Sequence, residues 1–481
     1  MLFNSVDFLI FLPIVFTLYW LLPFRYRWML LLASGYYFYM SRNKNFGLLL
    51  LGITAVNYYA ALKISETSDQ KIKKRWLFFS LISNLGCLFV FKYFSLFYNS
   101  ALPFFNIGAT TNHFTEQIII PVGLSFYVFQ SLSYTIDVYR GTVQAEKSLP
   151  RFALFVSFFP LLLAGPIERF SHLMPQFFEK RKLVMNNLIT GVRIATWGFF
   201  KKMVIADRLA CVVNPVFDDV HRYESLSLLI AVIFFAIQIY CDFSGYSDIA
   251  LGTAKILGYD LMQNFKRPFF STSITEFWRR WNTSLSNWFK DYVYIPFIIN
   301  RRDWGKPGIA LGLVITFFLI GLWHGASWLF VMYGCIHGLL LVYEMYTKKI
   351  RTIFLKKLPA TAYNISGNLL MLCPVILLLV FVKAKNIEDL KFIYCSVFSF
   401  NYNFSIAVCE LSGILKGMFP LLLSVFFVFF LFAKELNEEI GFINKVKGYD
   451  KILKLVFYAL LFLTIFIFGK FNADGFIYFR F

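Results

Sequence analysis

The chain is built of long apolar blocks separated by short polar or basic stretches. The blocks fall at 5–22, 27–40, 46–62, 76–98, 118–136, 151–166, 187–210, 225–245, 308–331, 332–346, 364–383, 417–434 and 453–470. About 20 apolar residues in a helix cross a hydrocarbon layer roughly 30 Å thick, and most blocks approach that length. The blocks at 27–40, 118–136 and 151–166 are short or interrupted, which suits re-entrant elements surrounded by protein. Thirteen segments is therefore an upper bound. The alternating ten-residue pattern of a transmembrane β-barrel is absent. The pattern predicts an all-α, polytopic membrane protein.

One region breaks the rhythm. Residues 259–306 mix Trp278, Trp281, Trp288 and Phe289 with Arg279, Arg280, Lys290 and Asp291, too many charges for a lipid-facing span. Such a stretch suits an amphipathic helix at the membrane interface or along a protein-enclosed cavity. Ser273 or Thr275 can cap its start, with Glu276 in the first turns.

Composition agrees with the pattern: 58% of residues are hydrophobic, 20% aromatic and only 15% charged, against roughly 25% charged in soluble domains. The formal net charge is +20. The basic residues sit in clusters between apolar blocks, where cytoplasmic loops and anionic lipid account for them without nucleic acid. Lys71, Lys73, Lys74 and Arg75 precede the 76–98 block and no Lys or Arg lies in 99–117, so that helix should run outward from the cytoplasm. The first block, lacking a basic leader and a small-residue cleavage site, reads as a retained helix. The seven Cys form no CxxC pair or His/Cys cluster, so neither a disulfide framework nor a metal site is expected. No internal repeat or soluble insertion is visible, and residues 1–481 read as a single membrane domain.

Function is sought where polar groups lie inside apolar blocks. His324 lies near the middle of the 308–331 block, in LIGLWHGASWLF. An imidazole there faces a cavity, a ligand or a neighbouring carbonyl. Gly321, Gly325 and Ala326 make room beside it, for close helix packing or for a bound molecule. Asn282, in WRRWNTSLSNW, offers an amide that orients a hydroxyl or holds an oxyanion, or else serves as a local cap. Gln238, Asp242, Ser244 and Asp248 follow one another through QIYCDFSGYSDIA. Gln238 and Asp242 share a face if the helix continues, and a carboxylate at that depth needs a partner; Arg267, Arg279 and Arg280 are the candidates. PVGLSFYVFQSLSYTIDVYRG and LAGPIERFSHLMPQF read as broken helices sheltered by protein. His337, thirteen residues past His324, is assigned a structural role. Walker A, GxSxG and GxGxxG signatures are absent, which leaves a nucleotide-driven pump and an α/β-hydrolase without support.

PVGLSFYVFQSLSYTIDVYRG, AGPIERF, QIYCDFSGYSDIA, NFKRPFFSTSITEFWRRW and GLWHGASW occur in the order seen in the membrane-bound O-acyltransferase family. The chain resembles its bacterial branch of alginate and peptidoglycan O-acetyltransferases and the teichoic-acid D-alanyl transfer protein. The resemblance runs from about residue 5 to the terminal FIYFRF. It implies a ring of helices around a funnel or tunnel, with re-entrant and interfacial helices. It also implies a multi-pass location in the inner, or plasma, membrane. The family's near-invariant His falls on His324, and its second polar position on Asn282, where this branch usually carries His and many eukaryotic members carry Asn. Gln238, Asp242, Ser244, Arg279, Arg280, Trp281 and Trp323 are the candidate cavity or supporting residues.

The implied reaction moves an acetyl group from acetyl-CoA, as donor substrate rather than resident cofactor, toward a hydroxyl of a cell-envelope polysaccharide. His324 would act as general base or as part of an acyl relay. The implied partners are membrane lipid and the polysaccharide, or an extracytoplasmic acetyltransferase that completes transfer. D-alanyl transfer to teichoic acid is the enzymatic alternative. A non-catalytic transporter or scaffold is the other, and the paired broken helices of two related halves expected of a transporter are not visible.

Overall fold

The computed structural model describes all residues except 42, 102–120, 356, 358, 442–449, 472–476 and 478–481. His113 and the start of the 118–136 block lie outside the described residues. Among those described there is helix and no strand. Among the described residues, seven helices are long and apolar enough to span a membrane: Lys44–Glu66, Gln70–Tyr98, Ser225–Ile256, Arg302–His324, Trp328–Ile353, Thr361–Lys383 and Met418–Ile440. Shorter apolar helices cover Val6–Leu21, Phe404–Ile414 and Leu455–Phe468. The chain is a multi-pass membrane protein. It divides into two compact units, one formed by Met1–Ala195 with Tyr246–Gln263 and the other by Thr196–Gly245 with Asn264–Ile477.

In the first unit the helix starts are set by local side chains. Ser5, Asn43 and Asp69 each accept a backbone N–H at the head of Val6–Leu21, Lys44–Glu66 and Gln70–Leu88. Between helices the glue is polar. Asn57 donates to Asn84 (3.1 Å) and its carbonyl oxygen accepts from Ser80 and Thr135 (both 2.9 Å), tying Lys44–Glu66 to Gln70–Leu88 and Leu124–Arg140. In a membrane such hydrogen bonds replace the hydrophobic drive that lipid removes.

The two breaks expected from Gly and Pro are present. Gly123 adopts φ 76° before Leu124–Arg140, and a Cβ there would sit 1.9 Å from the Leu162 carbonyl oxygen, so only glycine fits. The helix Leu149–Ser157 stops within the 151–166 block, and residues 158–168 continue without helix, all buried. Irregular backbone at such depth persists because protein, not lipid, surrounds it.

In the second unit the helices Gly305–His324 and Trp328–Leu355 form a close hairpin. A Cβ at Gly321 would lie 2.4 Å from the Phe330 oxygen, and one at Gly334 2.2 Å from the Phe317 oxygen. A Cβ at Gly325 would strike the Phe330 ring at 2.3 Å. Of the two uses offered by the small residues near His324, the structure realises close packing. It also corrects the segment boundary. His324 ends its helix rather than sitting mid-span, because Gly325 turns extended and Trp328 begins the next helix.

Candidate active site

The amphipathic region supplies the first part of the site. Ser273 caps Ile274–Arg280 by accepting the Glu276 N–H at 3.1 Å, and Glu276 reaches back to the Thr272 N–H at 2.8 Å, a reciprocal cap. Glu344, from the helix Trp328–Leu355, accepts the Ile274 and Thr275 N–H groups at 2.8 and 2.9 Å. A carboxylate at these exposed N–H groups complements the positive end of the helix.

The expected single amphipathic helix is broken. It stops at Arg280, turns through Trp281 and Asn282, and resumes as Thr283–Phe289. Asn282 sits at φ 42°, ψ 54°, a left-handed conformation that Asn tolerates better than most residues. Asn264 stitches the turn, its carbonyl oxygen accepting Thr283 N–H at 3.0 Å and its side-chain oxygen accepting Ser284 N–H at 3.3 Å. Asn282 is 1% exposed, and neither its side-chain oxygen nor its side-chain nitrogen has a hydrogen-bond partner among the described residues. An unsatisfied buried amide costs roughly 1–3 kcal/mol. Its amide serves no local cap, and the backbone break aims it elsewhere.

His324 is 3% exposed at the end of its helix. Its ring lies 5.2 Å from that of Trp323 and 6.2 Å from that of Tyr333. Tyr333 continues to His337 at 4.6 Å, and His337 to Trp278 at 5.1 Å. Trp278 meets Phe277 at 5.7 Å, and Phe277 stacks on Trp281 at 5.3 Å. A continuous file of rings thus runs from His324 to the residue before Asn282. Within it, the Trp278 indole N–H donates to His337 Nδ1 at 3.4 Å, which puts the His337 proton on Nε2. His337 is fully buried and supports this wall.

The remaining candidates divide. Trp281 is buried against Tyr240, Phe265, Phe269 and Phe277. Gln238 lies two residues before Tyr240 on the same continuous helix, Ser225–Ile256, and its side-chain oxygen has no partner among the described residues. Asp242 is not partnered by Arg267, Arg279 or Arg280. It pairs with Lys202 at 2.5 Å and accepts the Ile477 N–H at 2.7 Å, and Lys202 also pairs with Asp207 at 2.8 Å. Ser244 accepts from Lys201 at 2.9 Å. Arg280 and Arg267 instead meet Glu439, at 2.9 and 2.7 Å, and Arg279 is exposed.

Lys201 and Lys202 went unread in the sequence. Both lie in a π-helical turn, Phe200–Ala206, all of whose residues are buried. The doublet in FFKKMVIA, inside an apolar block, was the available signal. An apolar cavity of about 400 Å³ opens beside Phe269, Phe270, Leu372 and Phe432, but neither His324 nor Asn282 lines it.

Chemically, a buried imidazole can take a proton from a hydroxyl, and a buried amide N–H can donate to a developing oxyanion. Residues 143–382 match the membrane-bound O-acyltransferase (MBOAT) family. The chain is 38% identical to the probable alginate O-acetylase of Pseudomonas syringae pv. tomato, covering 83% of this chain and 76% of that protein. It is 33% identical to the peptidoglycan O-acetyltransferase of Helicobacter pylori, over 86% of this chain and 82% of that one. It is 28% identical to the teichoic acid D-alanyltransferase of Bacillus subtilis, over 53% and 67%. Taken with the multi-span helical fold, these matches make the chain an O-acyltransferase of the membrane-bound O-acyltransferase family.

Proposed function

We propose that the protein carries an acetyl group from acetyl-CoA, presented on the cytoplasmic side of the inner membrane, to a hydroxyl of a cell-envelope polysaccharide. The acceptor is the polymer itself or an extracytoplasmic partner that completes transfer. The observation that carries the reading is His324, buried where its helix ends and joined by a file of rings to the break that holds Asn282.

The chemistry follows from those two side chains. An alcohol is a poor nucleophile until its proton is taken as it attacks. His324 accepts that proton while the hydroxyl oxygen bonds to the thioester carbonyl carbon. Asn282 donates an N–H to the resulting oxyanion. As the carbonyl re-forms, the C–S bond breaks and the thiolate leaves, taking the proton from His324. The relatives favour acetyl over D-alanyl: the two O-acetylating relatives match over more than four-fifths of this chain, the D-alanyltransferase over about half.

The test is transfer of labelled acetyl from acetyl-CoA to envelope material by the membrane-embedded protein, with any extracytoplasmic partner supplied. Wild type should transfer label and His324→Ala should not. Silence of a well-folded wild type would overturn the acetyl reading, and an activated D-alanyl donor would be tried next.

A further inference from the structure

The first unit carries a second, unrelated polar construction. Arg27 is held in place by two carbonyls, its Nε donating to Leu22 O at 3.1 Å and its Nη1 to Arg181 O at 2.9 Å. Its guanidinium lies 4.8 Å from the Trp20 ring centroid and 5.1 Å from that of Tyr19. Arg181 lies 5.2 Å from the Tyr259 ring centroid, and Tyr259 shares a hydroxyl hydrogen bond of 2.8 Å with Tyr19. Gln176, anchored by Asp260 N–H at 2.9 Å, accepts from Arg181 Nη2 at 3.2 Å. The two guanidiniums are therefore held against one cluster of three rings packed edge to face.

Their charge is not balanced. Among the described residues Arg27 has no carboxylate partner, and Arg181 has only Glu179, whose side chain is 62% exposed. Asp260, whose N–H anchors Gln176, is engaged by Lys255 at 2.5 Å. Arg25, Lys180 and Lys182 add exposed positive charge beside them in the chain. Arg181 Nη1 donates to no described residue and is not buried, and Arg27 also faces the Tyr19 hydroxyl.

Arginines that only set topology need neither anchoring carbonyls nor stacked rings, since exposed charge suffices. Fixing the fork in advance is what binding a tetrahedral oxyanion requires. We propose that Arg27 and Arg181, held against Tyr19, Trp20 and Tyr259, form a binding site for a phosphate ester. Two sources share that chemistry: the phosphates of a nucleotide-bearing acyl donor, and the headgroup of an anionic lipid. The first source rests on the acetyl-CoA reading; the second does not.

The experiment uses the full chain in nanodiscs. In neutral phosphatidylcholine discs, coenzyme A is titrated by calorimetry. In discs containing phosphatidylglycerol, retained lipid is counted by native mass spectrometry. Arg27→Gln and Arg181→Gln should weaken the ligand of one arm about tenfold or more, the scale of one lost charged fork. Arg27→Lys keeps the charge but loses the fork, and should also weaken binding. Lys180→Gln with Lys182→Gln should change it little. Loss in the coenzyme A arm identifies the donor, and loss in the lipid arm identifies the headgroup. Equal binding by wild type and Arg27→Lys, or a larger loss from the two lysines, would overturn the site. Binding is read without acyl transfer, so a chain that binds phosphate and transfers no acetyl would sink the proposed function and leave this site standing.

Discussion

Two buried polar regions of the second unit are built on opposite rules. Around Asp242 charge is answered at once: Lys202 bridges Asp242 and Asp207, Lys201 reaches Ser244, and the Ile477 N–H fills the other carboxylate oxygen of Asp242. Around Asn282 an equally buried amide is answered by no described residue, on a backbone held in a left-handed turn. Burying a polar group is costly, and chains remove that cost wherever only stability matters. Where the cost is left standing, a ligand is the natural recipient of the hydrogen bond. On the function proposed above, the first region holds the fold together and the second is set aside for chemistry.

The largest effect expected is on transfer. His324→Ala should lower it by about 10²–10⁴-fold, the range for loss of a general base, while the melting temperature in detergent stays near that of wild type. A comparable fall in melting temperature would place His324 with the structural region instead.

Lys202→Met should do the reverse. Removing one partner of a buried pair typically costs about 3–5 kcal/mol, so the protein should unfold early or fail to accumulate in membranes. Replacing Asp242 by Leu in the same chain should recover part of that loss, since one of the two stranded carboxylates is gone and only Asp207 remains. If Lys202→Met folds normally and only transfer suffers, the ionic cluster belongs to the reaction.

Asn282→Ala sharpens the contrast further. Transfer should fall about 10²–10³-fold if the amide is an oxyanion donor. Stability should change little, because removing an unsatisfied buried group offsets the cost of about 1–2 kcal/mol of holding Ala in the left-handed turn. A loss of stability without loss of rate would show that the amide caps the turn after all.

What the sequence disclosed followed the range of the forces involved. The Ser273 cap and the Gly123 break were readable because each is decided within a few residues, whereas the helix expected to run to Gly165–Pro166 already stops at Ser157. The motif GLWHGASW located His324, yet its place at a helix end was hidden, since the apolar run continues unbroken through Trp328 and Leu329. The partner of Asp242 was misjudged for a different reason. Arginines lie closer along the chain, but Lys202 is buried in the π-helical turn Phe200–Ala206, and no local rule announces such a turn. Glu439, which takes Arg267 and Arg280, lies more than a hundred residues away along the chain.

The smallest effect comes from a third setting, outside the spanning helices, where one partner is buried and the other meets water. Glu168 is wholly buried; one oxygen accepts the Met262 N–H and the other faces His172 Nδ1 at 2.8 Å. The hydrogen bond to Glu168 is the main reason the His172 pKa is raised above its ordinary 6.5, against an opposing push from partial burial. A raised folded-state pKa gives a contribution that is fully present below 6.5 and fades as pH rises through the higher folded value. Because the His172 side chain is 41% exposed, water screens the pair and the effect is slight. Across about pH 5–8, the window in which histidine titrates, wild-type melting temperature should decline gently relative to His172→Gln. That difference should shrink above neutrality, while Glu168, still holding Met262, keeps both chains folded. Identical pH slopes in the two proteins would mean that Glu168 is anchored by Met262 alone and that His172 contributes nothing to the fold.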